Sequence, residues 1–193
     1  MKTFVAAALA SLCTTPAVAD MKRYELDVTH TAVYFTIDHI GYAKTLGIFT
    51  DLEGGFMYDA DTRELGEVSV DIEASSVNTF NTARDRHVRN RDFLHVSAHP
   101  QITFEAQGGR ATSATSGSVT GDLTILGETR PVTLDITLNR SAAYPFGHGR
   151  EVLGLSMTAQ IKRSDFGMTY GVANGLVGDV VSINIETEAM LME

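Results

Sequence analysis

The chain has 193 residues, 44% of them hydrophobic, with 15 Lys and Arg against 24 Asp and Glu and a formal net charge of −9. That length suits one domain with a full core. The acidic balance argues against nucleic acid, whose affinity rests on neutralising phosphates, and against charge-driven docking on anionic lipid.

The first nineteen residues read as a secretory leader. Met1-Lys2 is a short basic start, Phe4 to Leu12 an apolar stretch too short to span a bilayer, and Ala17-Val18-Ala19 a small-residue cleavage pattern. Cys13 is the only cysteine, and Leu12 before it is too large for a lipoprotein site. The expected division is a signal peptide over 1–19 and one domain over 20–193, delivered to the periplasm. Cleavage would discard Cys13 and leave neither a disulfide nor a thiolate metal site. No later apolar run is long enough for a transmembrane helix, so no stable membrane insertion is expected.

Polar and apolar residues then alternate along most of the chain, which on strands puts them on opposite faces. Expected strands run, in order, over Tyr24–Val28, Ala32–Ile40, Leu46–Tyr58, Leu65–Ala74, Gln101–Ala106, Ser118–Leu126, Pro131–Arg140, Val152–Lys162 and Val180–Leu191. The run Glu67–Ala74 places Val68, Val70 and Ile72 on one face, Arg130–Asn139 does so with Val132, Leu134, Ile136 and Leu138, and Val181–Leu191 with Ile183, Ile185 and Ala189. Gly54-Gly55 inside a strand suggests a bulge or sharp bend. Many such strands in one small domain define an all-β barrel or sandwich with an apolar inside.

One segment breaks the period. Thr82 to Leu94 lacks alternation and is rich in arginine. Thr82, with Asp85 three residues on, fits a helix start, and Asp85 and Arg89 would then be neighbours one turn apart. One short helix is expected here, ending near His95. Its cluster of Arg84, Asp85, Arg86, Arg89, Arg91 and Asp92 would be either a cationic rim for an anionic head group or a helix tied to the barrel by ion pairs; local pairing favours the second.

The six histidines are scattered, and no metal site is expected. His39 continues the parity of Val33, Phe35 and Ile37, so it is placed on the apolar face as a polar contact. Asp59 and Asp61 sit in a turn and read as solvated. No nucleophile elbow or glycine-rich phosphate loop is present, and nothing positively supports catalysis. Phe35, Phe49, Phe56, Phe104 and Phe166 are spread among strands or their ends; periodicity alone does not separate a packed core from a cavity lining.

Five stretches carry a resemblance. They are His30-Thr31-Ala32-Val33-Tyr34-Phe35 through His39-Ile40-Gly41 with Gly47-Ile48-Phe49; Arg84-Asp85-Arg86-His87-Val88-Arg89-Asn90-Arg91-Asp92-Phe93; His99-Pro100-Gln101-Ile102-Thr103-Phe104; Gly121 to Val132; and Arg163-Ser164-Asp165-Phe166-Gly167-Met168 with Val177-Gly178-Asp179-Val180-Val181. In this order they resemble the YceI-like family of periplasmic, lipocalin-like polyisoprenoid-binding proteins. Val88, Leu126 and His99 depart from the family's usual residues. The resemblance implies an eight-stranded antiparallel barrel with one short helix inserted between strands, a long apolar chain such as an isoprenoid quinone or fatty-acid amide inside it, and a homodimer.

The expected function is therefore binding or carriage of a polyisoprenoid or similar long-chain apolar lipid, without a separate cofactor and without catalysis. Phe35, Ile37, Phe49, Phe56, Phe104, Phe166 and Met168 would line the cavity, with His39 as its polar contact. The rivals are an enzyme acting on such a lipid and a structural, stress-protective barrel whose core is simply full.

Overall fold

The structure, a computed structural model, describes residues 20–192. The expected leader and Cys13 lie outside the described residues. The strands are β1 (Lys22–Leu26), β2 (Ala32–His39), β3 (Ala43–Phe49), β4 (Leu52–Asp59), β5 (Glu64–Glu73), β6 (Val77–Asn78), β7 (Gln101–Ala106), β8 (Gly109–Ala111), β9 (Ser116–Ile125), β10 (Glu128–Ala143), β11 (Glu151–Lys162) and β12 (Val177–Leu191), with helix α1 (Thr82–Val88) between β6 and β7.

These segments make eight staves. β1 and β2 both pair with β12, Tyr24 opposite Leu191 and Phe35 opposite Ile183, so they form one stave broken at Asp27–Thr31. β3 and β4 pair with β2 and β1 as a second stave, broken at Thr50 and Asp51. β5 pairs with β4 and β6 with β3, and β7 and β8 each pair with β5 and β9. β9, β10, β11 and β12 follow as antiparallel neighbours, and the β1–β12 pairing closes the ring. Closure leaves no stave without a neighbour, which is how a barrel disposes of its edges. The expected single strand Leu46–Tyr58 is thus two.

Physical reasons for the breaks are local. At the first, the Asp27 carboxylate accepts from the Thr29 backbone N–H at 2.9 Å and the Thr29 hydroxyl at 2.6 Å, a turn that competes with the ladder. Gly54 has φ +155, and a Cβ there would stand 2.5 Å from the Ser69 carbonyl oxygen. The irregularity in that stave falls just beyond, between Phe56 and Tyr58.

Helix α1 is capped by Asn81, whose side chain accepts from the Arg84 N–H at 3.0 Å; Thr82, the expected cap, is the first helical residue. The expected Asp85–Arg89 pairing does not form. Asp85 accepts from the Thr79 N–H and hydroxyl, while Arg89 donates to the carbonyls of Ser75 and Val77. The helix is tied down by backbone carbonyls and buried hydrogen bonds rather than by ion pairs.

Asp59 is also not solvated. It is buried, and accepts from the N–H groups of Asp20, Asp61 and Thr62, the last of which leads in holding its carboxyl below the usual range.

The α1 end of the barrel carries the β2–β3 turn, the β9–β10 turn and the β11–β12 loop. The opposite end carries the β4–β5 turn and the β8–β9 and β10–β11 loops.

Candidate functional site

Alternation along the staves sends one row of apolar side chains inward. Val68, Val70 and Ile72 from β5, Val132, Leu134, Ile136 and Leu138 from β10, and Val181, Ile183 and Ile185 from β12 all face a central cavity of about 550 Å3. Val70, Ile136 and Ile183, with Phe35 from β2, stay partly exposed although they line this cavity. A core packed to crystal density would leave no interior space of this size. The barrel is hollow.

Of the residues singled out from sequence, Phe35, Ile37, His39, Phe49, Phe56, Phe104 and Met168 line this cavity. Phe166 does not. It is 1% exposed and sits in a 3-10 turn, Arg163–Phe166, that follows β11, where strand parity no longer applies; it packs among the buried residues around Val132 and Ile161, at a shallow depression outside the cavity. His39 is not buried as its parity suggested. It is exposed and stands at the α1-end mouth.

Two of the lining aromatics depend on glycines. The Phe35 ring covers Gly47 on the neighbouring stave, where a Cβ would come within 2.3 Å of its tip, and lies 5.7 Å from the Phe49 ring. Phe104 covers Gly121 in the same way. The missing side chains make room for the rings to lie against the wall, leaving the axis open.

Sequence reasoning missed the α1-end wall. His87, Phe93 and Tyr170 meet there, with ring centroids 5.0–5.3 Å apart, and all three line the cavity. His87 Nε2 lies 3.1 Å from the Asp92 carboxylate. Phe93 and Tyr170 come from irregular segments, so no periodicity marked them. At the other end Tyr24, Phe56, Leu153 and Ala189 form a buried cluster, and the exposed lining residues there include Arg63, Ser113 and Thr115.

Arg163, 1% exposed, holds the β11–β12 loop in place. Its guanidinium donates to the carbonyls of Gly178, Met168, Tyr170 and Val177 at 2.7–2.9 Å, and stands 5.7 Å from the Phe93 ring centre. Burial pushes its pKa down, opposed by the nearby Asp179. That Asp179 accepts from the Ser164 N–H and hydroxyl. The Arg-Ser-Asp-Phe-Gly-Met stretch thus works as a loop clamp that sets Met168 and Tyr170 on the cavity wall.

Asp27, His30 and Glu188 bring their ligand-type atoms within 4.8 Å of one another on the outer side of the first break. A hydrogen bond within the turn, His30 Nδ1 donating to Asp27 at 2.8 Å, holds the first two together, and Glu188 of β12 stands 3.9 Å from the same nitrogen.

Fold and site together define a closed antiparallel barrel around an apolar, ligand-sized cavity. The chain belongs to the YceI-like family: the model of the YceI-like domain matches residues 24–189. A UPF0312 protein of Pseudomonas putida (strain W619) is 31% identical over 191 residues, 98% of this chain and 97% of that one. Among solved structures, the Campylobacter jejuni YCEI protein superposes with a TM-score of 0.74 at 31% identity, covering 81% of this chain and 90% of that one. A polyisoprenoid-binding domain from Saccharophagus degradans superposes at 0.64 with 17% identity, covering 88% and 98%.

Proposed function

We propose that this barrel binds or carries a long-chain apolar lipid, of polyisoprenoid, isoprenoid-quinone or fatty-acid-amide type, in the periplasm after removal of residues 1–19. The carrying observation is the hollow cavity of about 550 Å3, within the range of small-molecule sites and walled by Val, Ile, Leu, Phe and Met. The polyisoprenoid-binding description of the Saccharophagus domain agrees with this reading. Each methylene moved from water into such a wall contributes about 0.8 kcal/mol, so roughly ten give about 8 kcal/mol before the entropy cost of association. Micromolar binding then needs no specific head-group contact.

Carriage is favoured over turnover because the wall is dominated by aliphatic and aromatic side chains, and its Thr31 and Thr187 hydroxyls are hydrogen-bonded to each other at 2.6 Å. The filled-barrel rival conflicts with the cavity itself.

Titration of lipid-free protein with isoprenoid quinones of increasing tail length tests the proposal. Affinity should climb with tail length until the barrel is full and change little between head groups. An affinity set by the head group and flat with tail length would contradict it.

A further inference from the structure

The large apolar side chains that the barrel leaves in water are concentrated at one end. Tyr42 is 88% exposed and Phe80 70% exposed, and Ile40, Tyr170, Leu176 and Val180 are also exposed; all belong to turns or strand ends at the α1 end. Leu46 is exposed on the outer wall just below them, and among the described residues only Val28 and Phe146 of this kind lie elsewhere. An apolar concentration of this sort on one pole of a soluble barrel marks an interaction surface.

Among the described residues five non-glycine residues have positive φ, and two of them, Ile40 and Phe80, belong to this rim; the others are Arg63, His95 and Leu126. Ile40 has φ 56 and Phe80 φ 64, the left-handed region in which Asn or Gly is the low-cost residue and a β-branched one an outlier. Leu126, at φ 56, is repaid by packing on the core. Phe80 has no such compensation, since its ring is directed to solvent. A strained residue that exposes a large apolar side chain is retained for something outside the fold.

The rim is continuous with the cavity. Ile40, Tyr170 and Leu176 belong both to the exposed set and to the lining, beside the exposed His39 and Arg84, so part of the apolar wall runs out onto the surface at this end. At the opposite end the exposed lining residues include Arg63, Ser113 and Thr115, and the wall turns polar before it reaches water.

We infer that the α1-end rim docks reversibly on a phospholipid bilayer, so that the cavity mouth opens against membrane rather than water. The inference rests on the lipid-binding reading of the cavity. Three features select a bilayer over a protein partner. The most exposed tips, Tyr42, Phe80 and Leu176, sit on three separate turns rather than along one groove. Tyr42 and Tyr170 are the amphipathic aromatics that settle at head-group depth. At the same end Lys44, Arg86, Arg91, Arg130 and Lys162 are exposed against exposed Glu128 and Asp165, a local cationic excess that suits anionic head groups although the whole chain is acidic. The attachment is apolar and shallow, and among the described residues no helix is long and apolar enough to cross a membrane.

Flotation of purified protein with vesicles of phosphatidylethanolamine containing a minor share of phosphatidylglycerol tests this directly. The protein should float with the vesicles. The double variant Tyr42→Ser, Phe80→Asn should lose about fivefold or more of the floated fraction, since interfacial binding scales with inserted apolar area. Its melting temperature should hold or rise, because Asn suits the left-handed backbone at position 80. Tyr42→Ser alone should lose part of the binding and serves if the double variant folds poorly. Phe146→Ser, at the other pole, should float like the parent. A parent protein that does not float, a double variant that floats as well as the parent, or an equal loss in Phe146→Ser would overturn the inference. Flotation needs no bound ligand: lipid extracted from a protein that does not float would sink the rim and leave the cavity reading standing.

Discussion

Phe35 shows how one residue decides between a wall and a plug. Its ring tip covers Gly47 on the neighbouring stave, and the ring borders the cavity. Phe35→Ala should therefore weaken lipid binding while costing clearly less than the roughly 3–5 kcal/mol of a phenylalanine removed from a tight core, as read by urea melts of lipid-free protein. Gly47→Ala is the complementary change. Its Cβ would meet the ring tip at 2.3 Å, so the ring must swing into the cavity. Stability should fall modestly and the longest-tailed ligands should be lost first; unchanged affinity for them would show that the ring does not border the ligand.

The Asp27–His30 pair gives a pH signature at the same scale. Burial opposes ionisation of Asp27, but hydrogen bonds from Thr29 and His30 outweigh it and hold the pKa at about 2. The hydrogen bond to Asp27 raises the pKa of His30. The carboxylate thus contributes stability above its unfolded pKa, lost as pH falls through about 2; the imidazolium contributes below its unfolded value and is lost as pH rises through its raised one. The stability gap between the parent and Asp27→Asn should be widest near about pH 5–6 and narrower at about pH 9. A gap independent of pH would refute the pairing.

Among the elements, α1 and the β11–β12 loop are held by buried polar contacts that no spacing rule announces. Asp85 looked like half of an i,i+4 pair with Arg89. Its actual partner, Thr79, lies six residues back and is 1% exposed. The Thr79 hydroxyl leads in holding the Asp85 carboxyl below its usual range. Asp85→Ala should cost about 1–3 kcal/mol, because it leaves buried donors unsatisfied, and the loss should change little with salt. A loss that vanishes at high salt would restore the ion pair. Arg163→Met should cost about 2–4 kcal/mol in a urea melt, since four backbone carbonyls lose their donor. A neutral outcome would mean that water replaces the guanidinium.

These elements also show what sequence reasoning could reach. The staves were legible because alternation has a period of two and reports burial directly: the inward rows of β5, β10 and β12 are the rows the pattern marked. The first break falls between the separately expected strands Tyr24–Val28 and Ala32–Ile40, but the one at Thr50 and Asp51 carried no signal, because it interrupts pairing without interrupting composition. Asn81 rather than Thr82 caps the helix, a distinction between adjacent capping residues that only backbone geometry settles. Phe166 followed the family motif but left the strand, and with it the parity that would have placed it on the wall. Tyr170 and Phe93, in irregular segments, carried no periodic signal at all.

For the whole molecule, the organising fact is a closed ring of eight staves around space rather than side chains. Closure by β1 against β12 satisfies the backbone all round, so the interior is free to stay apolar and unfilled. The buried cluster of Tyr24, Phe56, Leu153 and Ala189 closes one part of the far end. The most direct measurement is solvent extraction and mass spectrometry of protein purified from a periplasmic fraction, with the intact mass read alongside. The account predicts a chain beginning at Asp20 and a long-chain apolar lipid approaching one molecule per barrel. Protein free of lipid, unable to take up a prenyl chain and destabilised by the full 3–5 kcal/mol or so in Phe35→Ala, would contradict it and leave a filled structural barrel in its place.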